Sequence, residues 1–350
     1  MNKKIVSIIL LGGLSLLLLS CSNSSDNATN PPVSSVAPPP VAAATVFAPR
    51  GIYCSCPPTT RSGSHSVMPA VANKDFVRGI LIRVEWREIE QNQGQFQWDL
   101  LDSELAAARQ YGKKVALAII NGHAAPAWLS GAGAQMFNYD LRGSPTSLPV
   151  PWDAVYLSAW SNFVAQLGAR YKDNLDIALI HITHSTYNGF EMQLPYSPTD
   201  QGAWQTVGYS PTRLIDSWKT VVDAFVQAFP THALDLDVHP IGADPTQDPN
   251  QVAREVVAYG NSAAGPRFGV FAAWWSQNNA QTAYPDMFAL IQQGANTSFS
   301  TVQMVTIFGT AISPELDLAF NSGVRYMEIW NGDILNTAIE SSLRATATQL

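Results

Sequence analysis

The chain offers little that a metal, a nucleotide or a nucleic acid could use. Its six histidines form no His-Glu-x-x-His pattern, and His181-x-x-His184 on a strand would point to opposite faces. No metal and no cofactor are therefore expected. No glycine-rich phosphate loop follows the first apolar strand, which removes the main support for a nucleotide-binding fold. Basic residues number 20 against 27 acidic ones, without a basic run or an RNA-binding aromatic motif, so nucleic acid is not an expected partner. Three cysteines are too few for a disulfide framework. Cys54 and Cys56, in Tyr53-Cys-Ser-Cys-Pro57, either form a local bridge or sit as packed thiols on the first strand.

What is present begins with Lys3-Lys4 and an apolar run from Ile5 to Leu19 that ends in Leu18-Leu-Ser-Cys21. The run is short for a membrane span and has the charged, apolar and small-residue layout of an export signal. Leu-Leu-Ser-Cys resembles a bacterial lipobox, which implies a signal peptide over 1–20 and lipidation of Cys21. Ser22 follows where an aspartate would resemble an inner-membrane retention signal, so the expectation is lipid anchoring in the cell envelope, at the outer membrane. Loss of residues 1–20 removes Lys3 and Lys4 and leaves 18 basic against 27 acidic residues, a net charge of −9. From residue 21 to 45 the chain is mostly Ser, Asn, Pro and Ala and cannot bury a core, so it reads as a flexible tether.

Residues 46–350 alternate strand and helix signals, a length normal for one closed α/β barrel. Strands are expected at Gly51–Cys54, Gly79–Trp86, Lys114–Asn121, Ile177–Thr183, Ala233–His239, Arg267–Trp275, Thr301–Ile307 and Val324–Trp330. Amphipathic helices are expected at Leu100–Tyr111, Ala154–Tyr171, Pro211–Phe229, Gln251–Ala258, Tyr284–Gln293, Pro314–Asn321 and Ile334–Thr348. Eight strand–helix units with mostly short connections argue a single-domain (β/α)8 barrel over an open sheet. The helix signal is faintest in the first unit, between Pro57 and Asp75, and in the sixth.

Period-two alternation then sorts the strand residues by face. Arg83 and Glu85 share one face, as do Asp235, Asp237 and His239, and Tyr326, Glu328 and Trp330. Active sites in this fold lie at the C-terminal rim, and two glutamates fall near it: Glu191, in His184-Ser-Thr-Tyr-Asn-Gly-Phe-Glu191, and Glu328. Carboxylates in apolar surroundings are paired or functional. Glu328 is a candidate for pairing with Arg83 or another barrel cation, and Arg83 with Glu85, or Asp235, for a structural salt-bridge layer.

The stretch Arg83-Val-Glu-Trp86-Arg-Glu-Ile-Glu90, Gly94-Gln-Phe-Gln-Trp98-Asp99, Gly112-Lys-Lys-Val and Pro126-Ala-Trp128-Leu129 resembles the second and third units of β-galactosidase-type (family 42-like) glycoside hydrolases of the (β/α)8 retaining clan. Pro151-Trp152-Asp153 and Ala169-Arg170-Tyr171 continue the likeness, which covers roughly residues 79–190. The resemblance implies an acid/base glutamate after the fourth strand and a nucleophilic glutamate after the seventh. Glu191 fits the first place, offset by Asn188-Gly-Phe. Departure comes at the seventh strand, where Val302-Gln303-Met-Val-Thr-Ile307 carries Gln303 and no acid. Only 20 residues follow Trp330, which keeps Glu328 on strand eight.

The expected function is cleavage of a β-linked glycan or glycoside, by Glu191 as proton donor and Glu328 as nucleophile. The alternative is a carbohydrate-binding barrel without catalysis. One acid must keep its proton, and the other needs cationic or hydrogen-bonding neighbours such as Arg83 or His184. Expected substrate contacts are Arg83, Glu85, His123, Trp128, His184, Asn188, Asp237, His239, Trp274, Trp275, Gln303 and Trp330, because indoles stack on sugar C–H faces and polar side chains address hydroxyls. The segments 130–151 and 194–209 are expected as loops, the first as a cleft wall. Partners are then a carbohydrate and, through the lipid, a membrane, with the protein as a monomer.

Overall fold

The computed structural model describes residues 48–350, which lie in one compact unit. The export signal, Cys21 and the tether lie outside the described residues.

Eight parallel strands close into a barrel: β1 (Gly51–Ser55), β2 (Val77–Glu85), β3 (Lys114–Ile120), β6 (Ile177–His181), β7 (Ala233–Asp237), β8 (Phe268–Trp275), β9 (Phe299–Met304) and β10 (Tyr326–Trp330). Each pairs with its sequence neighbours, and β1 closes the ring on β10 with Tyr53 opposite Glu328. All eight expected strands are present, within three residues at each end. Between β3 and β6 lies a feature not expected, an antiparallel hairpin of β4 (Met136–Leu141) and β5 (Ser144–Pro149). A further helix, Pro198–Thr206, starts with a Ser197/Asp200 capping box in the stretch expected as loop. The helix of the first unit is a single turn, Pro69–Ala72, while the sixth unit has a full helix at Pro285–Thr297. The end of the chain divides into Asn331–Ile334 and Glu340–Gln349 instead of one closing helix.

The outer core sits between strands and helices. Asp153 caps the helix Ala154–Tyr171 by accepting from the Tyr156 N–H. Its buried face, Tyr156, Trp160, Phe163, Val164 and Leu167, repeats at three and four residues and meets Trp86 at the end of β2. Trp160 and Phe163 stack with their centroids 5.2 Å apart.

Inside the barrel, the lower layer is apolar, with Tyr53, Leu81, Ala116, Leu179, Phe271, Phe299 and Tyr326 buried together. Gly79 belongs here because a Cβ would lie 2.2 Å from the Tyr53 ring. Above it the layer is polar. His181 Nε2 lies 3.0 Å from Glu328 Oε1, and His181 Nδ1 is 2.7 Å from Asp235 Oδ1. The second contact is an ion pair whose angle is too poor for a directed hydrogen bond. Tyr326 Oη donates to Glu328 Oε1 at 2.6 Å, Gln303 Nε2 to Glu328 Oε2 at 2.7 Å, and Thr301 Oγ1 to Asp235. The cation that pairs Glu328 is thus His181, not Arg83. Cys54 and Cys56 are joined by a disulfide.

Burial alone would strip His181 of its proton, but the carboxylates of Asp235 and Glu328 outweigh it and raise its pKa to about 10. Relative to an ordinary 6.5, this interaction stabilises the fold fully below pH 6.5 and is lost as pH rises through about 10. Substitution His181→Ala leaves two carboxylates facing in a dry interior and is expected to cost about 3–5 kcal/mol in urea unfolding at pH 6. The loss of stability expected of the native chain between pH 7 and 10 should shrink in the variant.

Candidate active site

At the C-terminal rim of the barrel a cleft of about 510 Å³ opens, lined from all sides of the ring by residues that follow different strands. Glu85 ends β2, His123 follows β3, Asn188 and Glu191 follow β6, His239 follows β7, Trp274 and Gln303 are the penultimate residues of β8 and β9, and Trp330 ends β10. A second hollow, lined by Arg50, Arg78, Lys113 and Arg344, lies at the N-terminal end of the strands, away from the rim where this fold assembles its chemistry.

Glu191 reaches the cleft because its loop is folded back hard against β3. Gly189, at φ 71°, carries its carbonyl to the Asn121 N–H at 3.1 Å, and Tyr187 N–H closes the loop on the Gln193 carbonyl at 2.8 Å. No side chain fits at that crossing: a Cβ on Gly189 would lie 2.2 Å from the Asn121 carbonyl oxygen. Asn188 organises the turn, accepting from the Phe190 and Glu191 N–H groups and donating Nδ2 to Glu191 Oε1 at 2.6 Å. Gln193 Nε2 donates to the other oxygen at 2.9 Å. The three-residue offset in the sequence is therefore a tight, self-bonded turn that presents the carboxylate at the rim.

Asp237 holds this loop from beneath. The Met192 N–H donates to Oδ2 at 2.9 Å and the Ala273 N–H to Oδ1 at 2.8 Å, tying the Glu191 loop to the end of β8. Desolvation first, and then the nearby Glu191 charge, push Asp237 well above the usual carboxylate range. His239 gives Nδ1 to the Pro240 carbonyl at 3.0 Å and packs on Tyr284. Burial lowers its pKa, so it presents a neutral ring to the cleft.

The opposite wall is stapled in the same way. Trp330 Nε1 donates to the Met304 carbonyl at 2.6 Å, and the buried Asp333 accepts from the Phe308 and Gly309 N–H groups. Gln303 forms part of the cleft floor, with its amide bonded to Ser55 Oγ and to Glu328. Glu328 lies under that amide, 0 % exposed, and does not line the cleft.

Nine of the expected residues meet around the cleft: Arg83, Glu85, His123, Asn188, Glu191, His239, Trp274, Gln303 and Trp330. Others are placed elsewhere. His184 turns outward into the helix layer, with Nδ1 2.9 Å from the Tyr156 hydroxyl and Nε2 3.0 Å from that of Ser217. Burial lowers its pKa to about 3, so it is a neutral core histidine, neither a sugar contact nor a cation for Glu328. Trp128 stands edge-on to Trp86 and donates Nε1 to the Glu90 carbonyl, outside the cleft. Trp275 is fully buried on the outer side of β8 and donates to the Glu315 carbonyl. Asp237 supports the site without lining it. Residues not expected include Arg142 at the hairpin tip, Gln193, Tyr196 and Tyr284. Tyr196 sits in the 194–209 segment, and its 57 % exposure is unusual for a large side chain.

Gly189→Ala is expected to combine a strained φ with a clash against backbone. The variant should fold, with the thermal midpoint lowered by several degrees, while quenching of the cleft tryptophans by sugar is lost.

Residues 76–221, somewhat under half the chain, match the model of glycoside hydrolase family 42, β-galactosidase. No curated protein sequence matches the chain. Among solved structures, the catalytic domain of a β-amylase from Paenibacillus polymyxa superposes with a TM-score of 0.62 at 11 % identity, covering 85 % of this chain and 97 % of that one. A β-galactosidase from the psychrophilic Marinomonas ef1 gives 0.53 at 13 % identity, and one from the Antarctic haloarchaeon Halorubrum lacusprofundi 0.54 at 12 %. Each alignment takes in 85 % of this chain but only 59 % and 57 % of those two enzymes. The chain is a glycoside-hydrolase-like (β/α)8 barrel, similar over residues 76–221 to family 42 β-galactosidases.

Proposed function

We propose that the chain is a lipid-anchored glycoside hydrolase of the bacterial cell envelope that cleaves a β-linked glycan or glycoside, with Glu191 as acid and base. The observation that carries this reading is Glu191 itself: a glutamate after the fourth barrel strand, fixed by two amide donors and opening onto a cleft. The cleft is walled by Trp274, Trp330, Tyr196 and Tyr284. Flat rings with amide and imidazole groups between them suit a sugar, whose C–H faces stack and whose hydroxyls pair.

The second carboxylate is assigned to Glu328. Its three donors orient its carboxyl, and the Gln303 amide separates it from the cleft. Rotation of that amide opens Glu328 to a ring bound above. Glu191 then gives its proton to the glycosidic oxygen as the C–O bond breaks, and a Glu328 oxygen bonds to the anomeric carbon. Water, losing its proton to Glu191, displaces Glu328 in the second step.

One observation favours a second reading, a sugar-binding barrel without turnover: Glu328 is fully buried and the seventh-strand rim carries an amide. Product release from a panel of aryl β-glycosides and oligosaccharides separates the two. For the hydrolase, Glu191→Gln and Glu328→Gln each lower kcat on the order of 10³-fold while sugar binding persists. Loss in Glu191→Gln alone makes Glu328 a structural charge, and binding without turnover in the native chain sinks the enzyme reading. Anchoring is tested separately: radiolabelled palmitate should enter the native chain expressed in a bacterial host and be absent from Cys21→Ala.

A further inference from the structure

The cleft presents two guanidinium groups that no carboxylate neutralises at short range. Ion pairs of the described residues engage Arg61, Arg87, Arg109, Arg170, Arg254 and Arg344, but neither Arg83 nor Arg142. Arg83 rises from β2 with one Nη on the Cys56 carbonyl and its guanidinium over the Trp330 ring, 5.4 Å from the centroid. Its Nε is buried with no hydrogen-bond partner. A cation so placed is costly unless something completes it. Glu328 lies within coulombic reach below, but its bonds come from His181, Tyr326 and Gln303.

Arg142 reaches the same cleft from the tip of the β4–β5 hairpin. The two-residue turn Arg142-Gly143 has φ of 56° and 89°. Asn-Gly is the pair such a turn favours, and Arg142 is the one non-glycine residue at positive φ among the described residues. A residue with a Cβ pays for that conformation, so its retention at the cleft mouth points to a use for its side chain. The acids of the cleft are otherwise engaged: Glu85 pairs with Arg87 at 2.6 Å, and Glu191 is held by Asn188 and Gln193.

We propose that the glycan taken by this cleft is acidic: a uronic acid whose carboxylate is bound by Arg83 on the floor and Arg142 on the hairpin tip. The planar fork of arginine matches a carboxylate in shape as well as charge. This assignment rests on the reading of the cleft as a sugar site and narrows it.

Isothermal calorimetry on the native chain with matched pairs tests it: methyl β-glucuronide against methyl β-glucoside, and methyl β-galacturonide against methyl β-galactoside. At least one uronide should bind roughly ten-fold more tightly than its neutral partner, as one charge-assisted contact supplies, and the preference should fall with added salt. Arg142→Gly, which also relieves the turn, should lose most of that preference without lowering the thermal midpoint. Arg83→Lys, keeping charge without the fork, should lose part of it. Equal binding within both pairs overturns the acidic assignment and leaves the sugar site standing. Binding of none of the four overturns the assignment together with the reading it rests on. Equal preference for a 6-sulfated sugar overturns the assignment to a carboxylate.

Discussion

His181 stands between Asp235 and Glu328 in the dry middle of the barrel, and its charge is what allows two carboxylates to share that space. The layer below it is apolar and the cleft above it is polar, so this ion triplet marks the level at which the interior changes character. Replacing such a group by hydrocarbon is often tolerated, whereas removing one member is not. The arrangement fixes the direction of the Glu328 carboxyl, and through Gln303 it fixes the floor of the cleft. A chain that needed only a filled barrel would have no use for so expensive an interior.

The cleft is built by backbone groups as much as by side chains. Asn121 and Gly189 meet backbone to backbone, and Asp237 and Asp333 each collect two N–H groups from neighbouring segments. Trp330 is tied to the Met304 carbonyl. These bonds hold the rim loops in place before a ligand arrives, which lowers the ordering cost of binding.

The barrel was legible because its strands are buried on both faces and are separated by amphipathic runs of helical length. Period two grouped Arg83, Asp235, Asp237 and Glu328 on the strand faces that turn to the interior. What misled was the role given to residues at strand ends. His184 lies past the end of β6 on the face opposite His181, as the alternation has it, and so enters the helix layer instead of the cleft. Trp274 and Trp275 lie at a register shift of β8 against β9, with their rings stacked 6.2 Å apart, so the alternation no longer tells which of them lines the cleft. Trp128 belongs to a motif that is structural here, since it seals Trp86 and Glu90. The β4–β5 hairpin was hidden because Met136–Leu141 and Ser144–Pro149 have the short, polar, proline-bearing composition of a loop. Arg142 was missed with it, although Arg-Gly between two such runs is a turn signal. That Glu191 returns to the rim rests on Gly189, a contact between positions 68 residues apart that no local pattern reveals.

Asp237 joins the loop of Glu191 to the strand end that carries Trp274 through a single side chain. The Glu191 loop and the Trp274 wall therefore share one mechanical pivot. A ligand that presses Trp274 outward draws on the same carboxylate that steadies Met192, next to Glu191, so the fit of the ligand and the direction of the Glu191 carboxylate are not independent variables. Change of specificity in this barrel is easier at the hairpin and at Tyr196, which stand outside that linkage, than at the Trp274 wall.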